Sequence, residues 1–459
     1  MNVDVLIIGA ATTGSYFARK LAEQGVKVLV IDRSYEEKIG SKYDIFHICE
    51  RDFEKHGLPL PTEGEDRVFR FSHSMNYSAF GRHPKPGECP VIGMHMHLYT
   101  LRMNRWAKEA GAQIEYGATF QKLLYGKGGE VVGAVYEKNG QLHEVHAKLV
   151  ADCSGIPSVA RRSLPDDCVV ENFEISPRDM FYVILRYVTY SNPKDWISGS
   201  RGWTFYKTWE APQADPHGAI LGIGANLSFD FAEKIYDVFE KTIALPEHTI
   251  DYIERGATPY RRPPYSFVSD GFVVMGDAAC LTKPSAGEGV TSSMVHADVV
   301  LDVVLKLFRE EKPLSLENLW PINKRYIQVQ GKAFASQLAM LVGAVATNAQ
   351  ENDFFFRNDI IFSRKSFEAM GEGRELTFSY LDLIMMVGKM LWGVLTGKLR
   401  MSTIHSLVNA MSDSNKVSKL YDCYPDTPAG FGAWRKEADT VWVTCGSMTE
   451  AAERMLSEL

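Results

Sequence analysis

The sequence predicts an α/β fold: a Rossmann-like dinucleotide-binding domain with an inserted antiparallel β-sheet and a helical C-terminal region. Three observations predict it. The chain opens on a strand, a glycine-bearing turn, a helix and a second strand within its first 32 residues. Between about 165 and 260 the pattern becomes β-rich alternation, and from 314 onward it is almost entirely helical.

Each element follows from local chemistry. Val3–Ile8 is an aliphatic run interrupted at Asp4, the signature of a strand buried in a parallel sheet. Gly9–Gly14 makes the turn, and Phe17, Ala18, Leu21 and Ala22 give the helical spacing that Gly25 ends. Val26–Ile31 is a second strand, closed by Asp32. Residues 40–95, rich in His, Pro and Gly, read as loops with short elements. Tyr99–Ala110 is a helix stopped by Gly111, and Gln113–Tyr116 a strand. Phe120–Val150 reads as a three-stranded meander, with turns at 126–129 and 138–141 where Gly and Asn accept positive φ. Met180–Tyr190, Trp203–Trp209 and Ala219–Leu227 are candidate strands, with a helix at 230–241. Phe272–Met275 and the helix Val290–Phe308 return to the first domain. The expected domains are therefore 1–165 and 259–312 (first domain, in two parts), 166–258 (inserted sheet) and 313–459 (helical region).

The chain has 459 residues, 45% hydrophobic and 23% charged, with a formal net charge of −7. That balance argues against nucleic acid as a partner, since a phosphate polymer requires a concentrated basic face. Seven cysteines without a CxxC pair fit a reducing compartment. The N-terminus lacks a basic stretch before its short apolar run, so no signal peptide is expected. The expected location is cytoplasmic. The run Ile384–Leu395, IMMVGKMLWGVL, is too short to span a bilayer and carries Lys389. It reads as a buried or interfacial helix, so peripheral membrane contact through the C-terminal helices is an open expectation.

Four motifs carry chemistry. Gly9-Ala10-Ala11-Thr12-Thr13-Gly14 lies between strand and helix, where a tight turn and open N–H groups receive a pyrophosphate. Ala11 replaces the middle glycine. Asp32, 23 residues after Gly9 and followed by Arg33, is placed to accept hydrogen bonds from ribose hydroxyls. Ala151-Asp152-Cys153-Ser154-Gly155 is a strand–turn corner leading to Arg161 and Arg162. Met275-Gly276-Asp277-Ala278-Ala279 runs on to Pro284, Gly287, Glu288 and Gly289 and then opens a long helix. Asp277 suits a ribityl hydroxyl, and the helix N-terminus suits the edge of a flavin that gathers negative charge on reduction.

In this order the motifs resemble the FAD-dependent geranylgeranyl reductase family, whose fold is of the p-hydroxybenzoate hydroxylase type shared with flavin monooxygenases and flavin-dependent halogenases. The resemblance covers about residues 1–310, including the run-in GATPYRRPPYSFVSDGFVVMGDAA from Gly256 to Ala279. It implies FAD as cofactor. Gly9, Ala11, Thr12, Thr13 and Gly14 would line the pyrophosphate, and Asp32 with Arg33 the adenosine ribose. Asp152 and Gly155 would form a second FAD-proximal corner, Gly276 and Asp277 would meet the ribityl–phosphate part, and Pro284, Gly287, Glu288 and Gly289 the isoalloxazine. Arg102 would substitute for an arginine that the family places before the 99–110 helix. The family's Lys-Pro-Cys-Gly stretch is here Lys42-Tyr43-Asp44-Ile45, with Cys49 nearby, and its Trp-x-Phe-Pro is Trp203-Thr204-Phe205-Tyr206. Trp203, Phe205, Gly222 and Gly224 would line the substrate pocket. The halogenases' Trp-x-Trp-x-x-Pro stretch is absent.

The expected function is an FAD-dependent reductase or dehydrogenase passing a hydride between flavin N5 and a carbon of an apolar, prenyl-type substrate, with Tyr206, His47 or Cys49 as the acid. Alternatives are a monooxygenase of the aromatic hydroxylase or halogenase kind, an electron-transfer flavoprotein docking to a redox partner, and a protein that binds FAD without turnover. The electron donor is left open among NAD(P)H, ferredoxin and quinone, because no second glycine fingerprint occurs. His95 and His97 alternate as on one strand face but lack a third ligand, so no metal is expected. Met385, Met386, Met390 and Leu391 read as a packing stripe.

Overall fold

The structure is a computed structural model and describes the chain except residues 41–44, 196–197, 205, 216, 346, 372–378, 446–451 and 454–459. β1 (Asn2–Ile8), α1 (Thr12–Ala22) and β2 (Val28–Asp32) open the chain, followed by β3 (Ile45–Cys49), α2 (Glu50–His56), β4 (Arg67–Tyr77) and β5 (Lys85–His95). Then come α3 (Met96–Glu109), β6 (Gln113–Tyr116), β7 (Ala118–Tyr125), β8 (Val131–Lys138) and β9 (Gln141–Asp152). The middle of the chain holds β10 (Met180–Tyr190), β11 (Ser200–Trp203), β12 (Lys207–Pro212), β13 (Gly218–Asn226), α4 (Phe229–Thr242) and β14 (His248–Pro259). β15 (Val268–Ser269), β16 (Phe272–Val274) and α5 (Val290–Arg309) complete the first domain.

The first sheet runs β15-β16-β9-β1-β2-β6, parallel from β16 to β6. The meander β7–β8 hangs on β9 by antiparallel pairing, as its turn residues predict. Leu6, Ile7, Leu29, Val30, Leu149 and Val150 are fully buried, since helices such as α1 and α5 cover the parallel strands. Each such side chain contributes about 1.5–3 kcal/mol by leaving water.

The second sheet has the order β14-β10-β13-β12-β11-β4-β5-β3. Its composition corrects the reading of 40–95 as loops: β3, β4 and β5 are three of its strands, and β4 pairs in parallel with β11. The inserted sheet is thus built from two excursions of the chain, not from 166–258 alone. Pro86, Gly87, Pro90 and Gly93 sit inside β5, and β4–β5 pairing shifts register twice. Turn-type residues at such irregular strands imitate loops in sequence. Trp203–Trp209 is likewise not one strand: Tyr206 takes φ +54° in the turn that folds β11 onto β12.

One face of this sheet is closed by α4, whose Phe231, Ile235, Tyr236 and Phe239 pack on Ile184, Val188, Leu221, Ile223 and Ala225. On the other face Val183, Leu185, Tyr187, Trp209 and Ile220 cluster with Val68 and Phe69. The pleat's alternation produces the two faces.

The C-terminal region comprises α6 (Leu316–Leu319), α7 (Pro321–Tyr326), α8 (Lys332–Val345), α9 (Ala349–Arg357), α10 (Arg364–Gly371), α11 (Tyr380–Leu395), α12 (Met401–Asp422) and α13 (Phe431–Thr444). Trp320, Tyr421, Tyr424, Phe431 and Trp434 form an aromatic cluster that reaches Tyr265 of the first domain. Trp320 Nε1 donates to Pro425 O at 2.9 Å.

Candidate FAD and substrate site

The four motifs meet at the carboxyl ends of β1, β2, β9 and β16, where a parallel sheet leaves a crevice for a nucleotide. Gly9 has φ +110°, and a Cβ there would lie 2.2 Å from Cys153 O. A Cβ on Gly14 would lie 1.9 Å from Gly9 O. Both glycines are therefore required by backbone approaches within the turn. Ala11 is the N-cap of α1 and is exposed, so its methyl group obstructs nothing inside the fold. No side chain caps α1 and no acid stands in its first turn, which leaves the amides of Thr12, Thr13 and Gly14 to an anion. Asp32 accepts from Ala10 N and Ser34 N, each at 2.7 Å. It clamps the fingerprint turn while staying half-buried, with lone pairs left for ribose hydroxyls. Arg33 beside it is exposed.

The second helix mouth faces the same crevice. Met275 N donates to Asp152 O at 2.9 Å, and Gly276, at φ +65°, holds its missing Cβ 3.1 Å from Thr13 Oγ1. A Cβ on Gly289 would lie 3.3 Å from Asp277 Oδ1, so that carboxylate rests against the start of α5. Gly287 has φ +69°. Lys283 N donates to Glu288 O at 2.8 Å, closing the loop around buried Pro284, and Thr291 Oγ1 bonds the Glu288 carboxylate.

Two expected cofactor contacts take other work. Asp152 is fully buried and its carboxylate accepts from Ser154 N, Ala160 N and Arg161 N at 3.0, 3.1 and 2.7 Å. Burial pushes its pKa up while those bonds oppose the shift. It organises the corner, with Gly155 at φ +74°, rather than presenting oxygen to the crevice. Arg102 donates to Leu60 O, Glu65 and Thr62 and pairs with Asp66 at 3.0 Å, so it fixes the 60–66 loop. From the same helix, Asn104 Nδ2 reaches Ala10 O at 2.9 Å and Ser15 Oγ at 3.0 Å. Asn104 was not singled out in the sequence, where nothing distinguishes it from a solvated helix residue. Arg161, fully buried, donates to Ala278 O at 2.9 Å and lies 4.1 Å above Phe173, tying the second motif to the fourth.

The face of the second sheet opposite α4 carries Gly222 and Gly224, the glycines expected to line a substrate pocket. A Cβ on Gly222 would lie 2.1 Å from the Trp209 ring, and one on Gly224 2.2 Å from the Phe181 ring. The missing side chains let both rings lie flat on β13. Lys207, opposite Gly224 in the register, sits among them: its Nζ is 5.7 Å from the Phe181 centroid and 5.8 Å from that of Trp209. Nζ also lies 2.9 Å from the place of a Gly287 Cβ. Burial pushes the Lys207 ammonium down to about 8, with Glu288 opposing and Lys283 adding to the shift. The sequence drew attention to the aromatics of this stretch and passed over Lys207.

Trp203 is corrected as a pocket residue. It stands opposite Thr208, stacks on Tyr77 and packs edge-on to Phe239 beneath α4. The turn at Tyr206 reverses the strand and sets Trp209 on the opposite face, against Gly222. Phe205 lies outside the described residues, as do Lys42, Tyr43 and Asp44. The Tyr206 hydroxyl donates to Asn226 Oδ1 at 2.6 Å, and burial pushes its pKa up. His47 pairs with Gly93, whose absent Cβ makes room for the Phe69 ring. Its side chain is exposed, and the protein around it lowers its pKa, Glu288 opposing and Lys207 reinforcing. Cys49, two residues on, lines a groove of about 810 Å³ with Phe53, Leu58, Arg67 and Arg70. His97 Nδ1 bonds Ile39 O at 2.5 Å, and among the described residues no cluster of metal-ligating side chains occurs.

Residues 2–198 match the family model described as an FAD binding domain. The digeranylgeranylglycerophospholipid reductase of Sulfolobus acidocaldarius is 25% identical over 96% of this chain and 97% of that protein. The FixC protein of Azorhizobium caulinodans is 23% identical over 69% of this chain and 78% of its own length. Among solved structures, a geranylgeranyl bacteriochlorophyll reductase-like protein from Thermoplasma acidophilum aligns with a TM-score of 0.62 at 16% identity, covering 87% of this chain and 99% of its own. The flavin-dependent brominase Bmp2 aligns at 0.57 and 17%, covering 96% and 100%. These structural likenesses show the fold. The glycine cradle, the two open helix starts facing one crevice and the ribose-side carboxylate suit FAD, and the protein is an FAD-dependent oxidoreductase.

Proposed function

We propose that this chain, which resembles the FAD-dependent geranylgeranyl reductases, is a reductase that saturates carbon–carbon double bonds of an apolar, prenyl-bearing lipid. The observation that carries this reading is the face of the second sheet opposite α4, where Phe69, Val183, Leu185 and Trp209 form an apolar cluster and the Phe181 ring reaches Gly287. The similarity to the Sulfolobus enzyme supports it, because it runs on through the C-terminal third that a bare FAD-binding fold does not require.

Bound FAD supplies the hydride chemistry. The chain's own part is to hold the lipid, exclude water and deliver a proton. Gly222 and Gly224 flatten the wall so that an extended chain can lie against it. Cys49 stands on β3, at one edge of the sheet, as a proton donor, while the lowered pKa of His47 on the same strand disfavours the protonated imidazole that an acid would need. Tyr206, already donating to Asn226, holds the sheet end.

The lipid is met at a membrane surface by α11. Tyr380, Leu381, Ile384, Met385, Val387, Leu391, Trp392 and Leu395 of this helix are exposed, and among the described residues no helix is long and apolar enough to cross a bilayer. Reduced holoprotein is to be incubated without oxygen with a geranylgeranyl-bearing glycerophospholipid and the product weighed by mass spectrometry. A gain of two hydrogens per double bond is expected. Unchanged lipid, or an oxygenated product once air is admitted, defeats the reading.

A further inference from the structure

We propose that Lys207 supplies the positive charge against which the bound flavin is reduced, its ammonium being admitted to the 287–289 loop by the missing side chain of Gly287. The proposal rests on the FAD reading and assigns a task within that site to a residue outside its motifs.

Lys207 is carried by β12 into a slot formed by the Phe181 and Trp209 rings and by Gly224 across the strand pair. Its Nζ lies 2.9 Å from where a Cβ on Gly287 would stand, so any other residue there would push the cation off the loop. Rings of this kind attract a cation but do not replace its water, so a half-buried ammonium among them calls for an anion. The surroundings add positive potential. Lys283 acts on Lys207 repulsively, and α5 starts at Val290 without a side-chain cap or an acid in its first turn. Glu288 is the opposing carboxylate, but it also bonds Thr291 at the helix start. A positive slot with one shared counter-charge is matched to a group that becomes negative during the reaction and is neutral before it. Reduction of a flavin is such a change. The lowered pKa near 8 accords with this arrangement and leaves the ammonium mostly charged at neutral pH.

The test is a redox titration of the holoprotein without lipid, for the wild type and for Lys207→Arg, Lys207→Gln and Lys207→Met, with FAD per chain measured on the same samples. Two neutral replacements of different polarity keep the readout from hanging on one fold. Both are expected to retain FAD and to shift the preference for reduced over oxidised flavin downward by about tenfold, while the arginine variant stays near the wild type. A merely structural lysine would not be rescued by arginine in potential alone. An unchanged potential in an FAD-loaded neutral variant overturns the proposal. A wild-type chain that takes up no FAD overturns the reading beneath it instead.

Discussion

α5 and α11 are both apolar helices, of 20 and 16 residues, and they end in opposite surroundings. α5 buries Met294, Ala297, Val300, Val303, Val304 and Leu307 against the parallel sheet and the start of the C-terminal region. In α11 Gly393 is the buried residue, and the side chains of Tyr380, Leu381, Leu391, Trp392 and Leu395 point outward. Hydrophobicity states that a helix avoids water; it does not state what replaces the water. For α5 the replacement is the chain's own core. For α11 the proposed replacement is a lipid surface, toward which the exposed stripe would be driven by about 25 cal/mol per Å² of apolar area removed from water.

The contrast can be broken at either helix. Val300→Asp places an unpaired carboxylate in the α5 interface and is expected to cost more than about 4 kcal/mol, read as loss of the cooperative melting transition. A melt like that of the wild type would mean that α5 is not the inward helix. A finer probe of the same interior is His296, fully buried on α5 between Phe267 and Tyr326 at 4.6 and 4.9 Å, with neither ring nitrogen bonded among the described residues. Burial pushes its pKa from 6.5 down to about 3. The unfolded chain therefore takes up this proton first. The stability is complete above about pH 6.5 and is lost progressively as pH falls toward 3. Denaturant titrations at descending pH should show that slope, and His296→Leu should flatten it; an equal slope in the variant removes His296 from the explanation.

On α11 the expectation reverses. The double substitution Leu391→Glu and Trp392→Glu should change stability by no more than about 0.5 kcal/mol yet lower cosedimentation with phospholipid vesicles about tenfold. If the melt drops while vesicle binding stays, α11 is packed in solution and the contrast with α5 fails.

The same limit explains what the sequence disclosed. The βαβ unit, the meander and the four motifs were legible because short-range rules govern them: Gly9 must take φ +110° and Gly276 φ +65°, which few other residues adopt. Asp152 and Arg102 were legible as important but not as to task, since their partners come from the 154–161 turn and the 60–66 loop, whose folding no local pattern announces. The strands β3, β4 and β5 were hidden by prolines and glycines that long-range pairing tolerates. Lys207 was hidden for the opposite reason. A lysine in an alternating strand reads as a solvated one until the register sets it across from Gly224 and beside Gly287.

The account stands on one crevice serving both helix mouths. Calorimetric titration of FAD into the apoprotein tests it most directly, comparing the wild type with Gly14→Val at the first mouth and Gly287→Val at the second. A single FAD per chain in the wild type, lost or greatly weakened by either substitution while the fold persists, is the predicted result. Wild-type affinity in either variant, or two independent nucleotides per chain, would contradict it.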